Sequence, residues 1–211
     1  MKIRSTEELI DFLGGAIHFR KREMINIKSQ LCNRERSVNS ICRIAVVFAY
    51  AHWEGFIKEA AQAYICYVSS QRKTLSSLTK NFQAICCRRC ILNVSSAANK
   101  IHHHIDLVET ILDNGNKYYS LDYINAIQTN SNLNAEVFHN ICMTVGIPSV
   151  SDTCSNRFID ELVKNRCCIA HGNNYDPDYG YAMKAIDFVL EAIDKFKTDI
   201  ENAAVLKTYL R

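Results

Sequence analysis

Hydrophobic residues recur every three or four positions along most of the chain, which is the periodicity of α-helices that bury one face. Two neighbouring rows of apolar residues predict one long helix from residue 37 to about residue 69. A stripe from residue 182 to residue 203 alternates steps of four and three and predicts another long helix within a bundle. Ser5 or Thr6 begins a long first helix, because acidic residues follow at once and favour a helix start.

Shorter segments with the same periodicity are separated by turn-forming residues. They predict helices at residues 78–95, 101–112, 135–145 and 156–171, with Gly146 and Gly172 ending the last two. Asparagine is frequent in the segment 113–134, which predicts loops with one short helix. Because 211 residues contain only two prolines and seven glycines, we predict an all-α fold, a bundle of long antiparallel helices in one domain spanning 1–211.

The composition excludes several classes of protein. The net charge of +3 and the pI near 8.3 fall short of the strongly basic surface that non-specific DNA binding requires. The charged N-terminus lacks the apolar segment of a secretory signal, and no apolar run approaches the roughly 20 residues that span a bilayer. The sequence predicts a cytoplasmic protein without a membrane partner, whose ten cysteines stay reduced.

Three cysteines close to three consecutive histidines raise the question of a zinc site. Cys87 and Cys90 have the C-x2-C spacing of zinc ligands, but no second ligand pair follows at the usual interval. Cys86 and Cys90 lie one helical turn apart, where small thiols pack as hydrophobic side chains. The spacing favours packing, and we predict neither a metal nor a cofactor.

Basic residues surround the same segment. Arg88, Arg89 and Lys100, with the histidines that follow, are candidates for an edge that contacts RNA phosphates. The alternative is a charged face that is simply solvated.

Two charged residues occupy positions that the helical pattern reserves for apolar side chains. Arg166 falls on the stripe of Leu162, and Glu54 falls on the row of Ile57. A charge buried without a partner costs several kcal/mol. We therefore expect Glu54 and Arg166 to form an ion pair that holds the guanidinium in one orientation.

His171 follows Arg166 by five positions and stands at the predicted end of the same helix. The free carbonyls at a helix end favour a protonated imidazole, which can donate a proton near neutral pH. An arginine that binds phosphate beside such a histidine suits RNA cleavage, in which the ribose 2′-OH attacks the neighbouring phosphorus. One histidine cannot easily serve as both the base and the acid of the reaction. A symmetric dimer would bring two histidines together and complete the site.

Two segments resemble a known family. The first, "LVKNRCCIAHG", contains both Arg166 and His171 and resembles the R-x4-6-H motif of HEPN-domain ribonucleases, where it stands on the penultimate long helix of an α-helical bundle. The second, "AHWEGFIKEAAQAYI", resembles the Trp-Glu segment of one group of bacterial HEPN-like nucleases.

The resemblance implies a HEPN-like helical bundle and a metal-independent endoribonuclease that leaves a 2′,3′-cyclic phosphate and acts as a homodimer. Such proteins commonly serve as toxins held by an antitoxin or other regulatory protein, or as antiviral effectors. At the matching positions, Arg166 would bind and polarise the scissile phosphate, and His171 would act as general acid or base. Glu54 and Asn165 would support them.

Two positions depart from the family pattern, and one of them is Asn173, where some members of the family carry a tyrosine two places after the histidine. The position after the motif arginine is often polar in the family, whereas it is Cys167 in this chain. This difference leaves open a catalytically inactive HEPN-like module that binds RNA, a nucleotide or a partner protein through the same groove. A small zinc-bearing regulator is the third alternative.

Overall fold

Helices make up the architecture in a computed structural model, which describes residues 1–32, 38–97, 100–112, 115–149 and 153–211. The helices of these residues are α1 (Thr6–Cys32), α2 (Val38–Ser70), α3 (Lys80–Ser96), α4 (Ile101–Leu112), α5 (Tyr123–Ala126), α6 (Ala135–Val145), α7 (Thr153–Ala170) and α8 (Tyr179–Val205). One 3-10 turn at Leu75–Ser77 precedes α3. The described residues contain no strand, and the predicted all-α fold is confirmed.

The three long helices α1, α2 and α8 pack on one another and form the centre of the bundle. Polar contacts join Thr6 to Tyr67, Arg20 to Glu59 and Glu23 to His52 across α1 and α2, and Lys21 to Asp194 and Lys28 to Asp187 across α1 and α8. In each series the partner's residue number falls as the number on α1 rises. Helix α1 is therefore antiparallel to both neighbours, as the sequence predicts.

Helix α2 is buried along both of its predicted apolar rows, because α1, α7 and α8 all pack against it. Trp53 and Phe56 are fully buried, which confirms that they belong to the core. The Trp53 ring contacts Phe138 of α6 and Phe188 of α8, with ring centres 4.8 and 6.3 Å apart. This packing leaves α7 facing the middle of α2.

A peripheral layer is formed by α3, which packs on α4 and α6. The Asn81 side chain donates a 3.0 Å hydrogen bond to the Thr144 carbonyl near the end of α6. Gly146 ends α6 with a φ of 72°, a left-handed conformation in which a Cβ atom would lie 2.9 Å from the Asn81 amide. The backbone conformation therefore favours glycine at this position, and a Cβ atom would also displace the Asn81 side chain.

The cysteines of the described side chains are free thiols, nine in number. Burial raises the pKa of Cys86 to about 12 and also raises the pKa of Cys87, so these thiols stay protonated near neutral pH. Within the described residues, no group of three or more His, Cys, Asp or Glu side chains is arranged to hold a metal ion. These facts favour packing over the zinc interpretation.

None of the helices in the described part of the chain combines the length and the apolar character needed to cross a membrane.

Candidate active site

Arg166 lies near the end of α7, half-buried against α2. Its guanidinium carbon stands 4.0 Å from the centre of the Tyr50 ring, and its Nη2 donates a 2.6 Å hydrogen bond to the Ser131 carbonyl. Stacking of a guanidinium on an aromatic face is favourable and restricts its orientation. The Tyr50 ring and the Ser131 carbonyl thus orient the guanidinium, a role that the sequence predicts for the Glu54 carboxylate.

The carbonyl that accepts this hydrogen bond belongs to a tight turn. The Asn132 N–H donates to the Thr129 carbonyl at 2.8 Å, and the two central residues, Asn130 and Ser131, have φ values of 49° and 54°. Two consecutive left-handed residues are typical of a type I′ turn and uncommon outside glycine. The turn holds the Ser131 carbonyl toward α7.

Tyr50 connects this turn to the two helices. Its hydroxyl accepts a 2.7 Å hydrogen bond from the Leu133 N–H, while its ring carries the Arg166 guanidinium. Burial raises the pKa of the Tyr50 phenol, and the Glu54 charge adds to this effect, whereas the Leu133 N–H and Arg166 oppose it. The phenol is neutral near pH 7 in any case, and the raised pKa makes it still harder to ionise.

The expected ion pair between Glu54 and Arg166 is wrong. Within the described residues, Arg166 forms no ion pair with any carboxylate, and Glu54 is half-buried one turn after Tyr50. The physical reason is that the Tyr50 ring already covers the guanidinium, and that a half-buried carboxylate can keep contact with water. Glu54 as a supporting residue remains a prediction.

Substitution of Glu54 by glutamine is expected to change the free energy of unfolding by no more than about 0.5 kcal/mol, because no ion pair is lost. A buried pair broken on one side would instead cost about 3–5 kcal/mol. Urea unfolding followed by circular dichroism measures the difference. Glu59→Gln is the matched control, since it removes the 2.8 Å ion pair with the buried Arg20 and should destabilise the protein clearly more.

His171 stands at the very end of α7 and is exposed to solvent. The next residue, Gly172, has a φ of 74°, and its N–H donates to the Ile169 carbonyl while the Asn173 N–H donates to the Cys168 carbonyl. These two hydrogen bonds form a Schellman turn, the common glycine-dependent end of a helix. The turn places His171 directly after the last residue of α7, at the helix end that the sequence predicts.

The loop that follows His171 is held by Arg43 on α2. Its Nη1 donates to the carbonyls of Asn173 at 3.2 Å and Tyr175 at 2.6 Å, and its Nη2 donates to Asn173 at 3.2 Å. The Asp176 carboxylate lies 3.5 Å from the same guanidinium. Because Arg43 bridges two carbonyls, the helix end that carries His171 is fixed relative to α2.

Asn165 faces away from this surface and is buried, with 7% of its area exposed. Its side chain interacts with the phenols of Tyr175 and Tyr181. Burial raises the pKa of Tyr181, and the interaction with Asn165 partly opposes that rise. Asn165 thus lies behind the site, near the loop and α8, and its supporting role remains a prediction.

Arg166 and His171 point in different directions from one helix. Five residues of α-helix correspond to a rise of about 7.5 Å and a rotation of about 140°. Arg166 accordingly faces α2, whereas His171 projects into solvent at the helix end. A single chain therefore presents the two groups on different sides of α7, and they do not face each other.

The predicted RNA-binding residues lie on a different part of the molecule. Arg88 and Arg89 belong to α3 and Lys100 immediately precedes α4, whereas Arg166 packs on α2. Arg88 is half-buried between two clefts of about 460 and 630 Å³, and its charge lowers the pKa of Asp122 slightly, after hydrogen bonds from Asn125. Arg89 and Lys100 are exposed. Their contact with RNA remains a prediction.

Sequence reasoning missed three residues that shape the site. Tyr50 belongs to an apolar row of α2, where the pattern indicates burial and gives no signal that the ring stacks on a cation of another helix. Ser131 and Arg43 act through backbone carbonyls, and such contacts leave no signature in the side-chain pattern.

One protein-family model matches most of the chain. Residues 16–202 match the model of the RiboL-PSP-HEPN family. The matched segment includes α2 with Tyr50 and Glu54 and α7 with Arg166 and His171. No curated protein and no solved structure matches the chain significantly.

Proposed function

Since this chain belongs to the RiboL-PSP-HEPN family, we propose that it is a metal-independent endoribonuclease that cleaves RNA by internal attack of the ribose 2′-OH. Family membership associates the chain with nuclease and RNA-related roles, and HEPN domains bind RNA and often dimerise. The residues at the end of α7 support the specific reaction.

The single observation that carries the proposal is the state of Arg166. Its guanidinium is oriented by Tyr50 and Ser131, but no described carboxylate neutralises its charge. Its Nε–H is buried and so is not open to a ligand, but the guanidinium has further N–H donors besides the one that donates to Ser131. A positioned arginine with unused donors is suited to a phosphate, whose oxygens accept two hydrogen bonds from one guanidinium.

The reaction needs two proton transfers and stabilisation of charge. The 2′-oxygen forms a bond to phosphorus as it loses its proton to a base, and the bond from phosphorus to the 5′-oxygen breaks as that oxygen gains a proton from an acid. Arg166 stabilises the negative charge on the equatorial phosphate oxygens. His171, exposed at the helix end, exchanges protons with the reacting oxygens. The products are a 2′,3′-cyclic phosphate and a 5′-hydroxyl.

The different directions of Arg166 and His171 support a site shared by two chains. In a two-fold dimer around the end of α7, the His171 of each copy would face the Arg166 of the other across one RNA strand. Two histidines would then supply one base and one acid. We propose that such an enzyme works in the cytoplasm as a toxin or defence effector and is restrained by an antitoxin or other regulatory protein.

The test is incubation of the purified chain with end-labelled cellular RNA in excess EDTA. Fragments ending in 2′,3′-cyclic phosphate are expected, because no step uses a metal. Cleavage that EDTA abolishes would contradict the metal-independent mechanism. RNA that is bound but stays intact would instead favour the catalytically inactive binding module, in which Cys167 follows the motif arginine.

A further inference from the structure

A cleft of about 300 Å³ lies between α7 and the segment that leads from the Ser131 turn into α6. Its lining consists of Asn132, Asn134, Glu136, Asp160, Val163 and Lys164. Asn132 directly follows the residue whose carbonyl accepts the Arg166 hydrogen bond, and Val163 precedes Arg166 by three residues on α7. Residues three apart on a helix are neighbours at its surface. The cleft therefore lies directly beside the proposed phosphate site at Arg166.

Hydrogen bonds fix the shape of this cleft. The Asp160 carboxylate on α7 accepts a 2.9 Å hydrogen bond from the Ala135 N–H at the start of α6, which joins the two walls. The Asn134 side chain accepts a 2.8 Å hydrogen bond from the Val137 N–H and caps α6. A cleft whose walls are already positioned loses little conformational freedom when a ligand binds.

Three polar side chains at the rim of the cleft are open to a ligand. Asn132, Glu136 and Lys164 are exposed, and among the described residues none of them forms an ion pair. With Asp160, the cleft carries two carboxylates and one ammonium group, so its net charge disfavours a phosphate. Val163 is buried and offers an apolar surface to the face of a flat ring. The cleft thus suits an uncharged base instead of the RNA backbone.

We propose that the cleft binds the guanine of a nucleotide adjacent to the scissile phosphate, and that Glu136 selects this base. The inference rests on the proposed function, since it assigns a base preference to the same RNA site. Unpaired RNA bases are commonly recognised through their Watson–Crick edges. Both oxygens of the Glu136 carboxylate are hydrogen-bond acceptors, whereas the Asp160 carboxylate already accepts from the Ala135 N–H.

Guanine is the RNA base whose edge matches a carboxylate. Its N1–H and its 2-amino group are adjacent donors, which can bind the two oxygens of Glu136 together. Adenine and cytosine place an acceptor beside their amino group, and uracil carries one donor between two acceptors. The Asn132 amide and the Lys164 ammonium supply donors for the guanine O6. Among the four bases, a carboxylate therefore accepts this paired contact from guanine alone.

The experiment first maps cut sites by sequencing the fragment ends of cellular RNA that the parent chain cleaves in EDTA. Guanine is expected at one of the two nucleotides that flank the cut, and always at the same one. Synthetic RNAs with guanine, inosine or adenine at that position are then compared in single-turnover time courses, because inosine lacks only the 2-amino group. The guanine RNA should be cleaved about 10-fold or more faster than the adenine RNA, with the inosine RNA between them.

Glu136→Gln should lower the rate on the guanine RNA to about the rate on the inosine RNA, because an amide keeps one acceptor oxygen and turns a donor toward the 2-amino group. A merely structural role of Glu136 would instead lower all three rates by the same factor. Glu191→Gln, at an exposed position of α8, is the matched control and should keep the parental preference. Circular dichroism verifies that the helices of both variants are intact.

The outcomes separate this inference from the proposed function. Cut sites without a fixed guanine, or an unchanged preference in Glu136→Gln, would overturn the inference while the ribonuclease activity stands. If the parent cleaves no RNA, the proposed function fails, and fluorescence anisotropy of short uridine-rich RNAs with one guanine or one adenine decides the inference. Tighter binding of the guanine RNA that is lost in Glu136→Gln would support it, and equal binding would overturn it.

Discussion

Replacement of His171 by alanine is expected to lower the rate of RNA cleavage by about 10²- to 10⁴-fold. In the proposed mechanism this exposed side chain at the end of α7 carries the proton, and in the described part of the chain it forms no hydrogen bond that the fold would lose. The backbone turn at Gly172 that positions it is unaffected by the substitution. Activity should therefore fall while the free energy of unfolding stays the same.

The measurement is a single-turnover time course with labelled RNA in EDTA, with parent and variant at equal, saturating concentrations. His18→Ala is the matched control, because His18 is also exposed on a helix but lies on α1. It should cleave at the parental rate. If His171→Ala cleaved as fast as the parent, His171 would not be the proton-transfer residue, and the proposed mechanism would fail.

Replacement of Arg166 by alanine is expected to reduce cleavage by about 10²- to 10³-fold, because the transition-state charge loses its main stabilising donor. Unlike the histidine variant, it should also destabilise the fold by about 1.5–3 kcal/mol, since a charged hydrogen bond to Ser131 and the contact with Tyr50 are lost. Activity and stability both fall because Arg166 packs on Tyr50 and, in the proposed mechanism, also binds the scissile phosphate.

Arg166→Lys separates these two effects. Lysine keeps the positive charge but cannot donate two parallel hydrogen bonds or stack as a plane on Tyr50. We expect most of the activity to be lost although the charge remains. Full activity in Arg166→Lys would show that charge alone suffices and would contradict the bidentate role. Arg22→Lys, at an exposed position of α1, controls for the substitution itself.

The sequence predicts the bundle well because long helices repeat their signal many times. The apolar rows of α2 and the stripe of α8 each extend over several turns, so a single exception hardly weakens them. Helix α4 shows the limit of this reasoning. Its boundaries at residues 101 and 112 are predicted correctly, but periodicity indicates only that one face is apolar, and not whether that face turns inward.

The candidate site was predictable in position but not in its contacts. Arg166 stands out because a cation interrupts an apolar stripe, and His171 stands out because glycine follows it. The expected partner of Arg166 was a carboxylate, since opposite charge is the simplest way to satisfy a buried cation. The structure instead uses the face of Tyr50 and the carbonyl of a left-handed turn, and neither can be found from helical spacing.

The burial of Trp53 has a practical consequence. It is the chain's one tryptophan, it is fully buried, and it stands on α2 between Tyr50 and Glu54, the residue next to it. Its intrinsic fluorescence therefore arises from a single place, in contact with α6 and α8 and within one helical turn of the ring that supports Arg166. The emission maximum should shift to the red on unfolding. The chain thus carries a built-in optical probe beside the site.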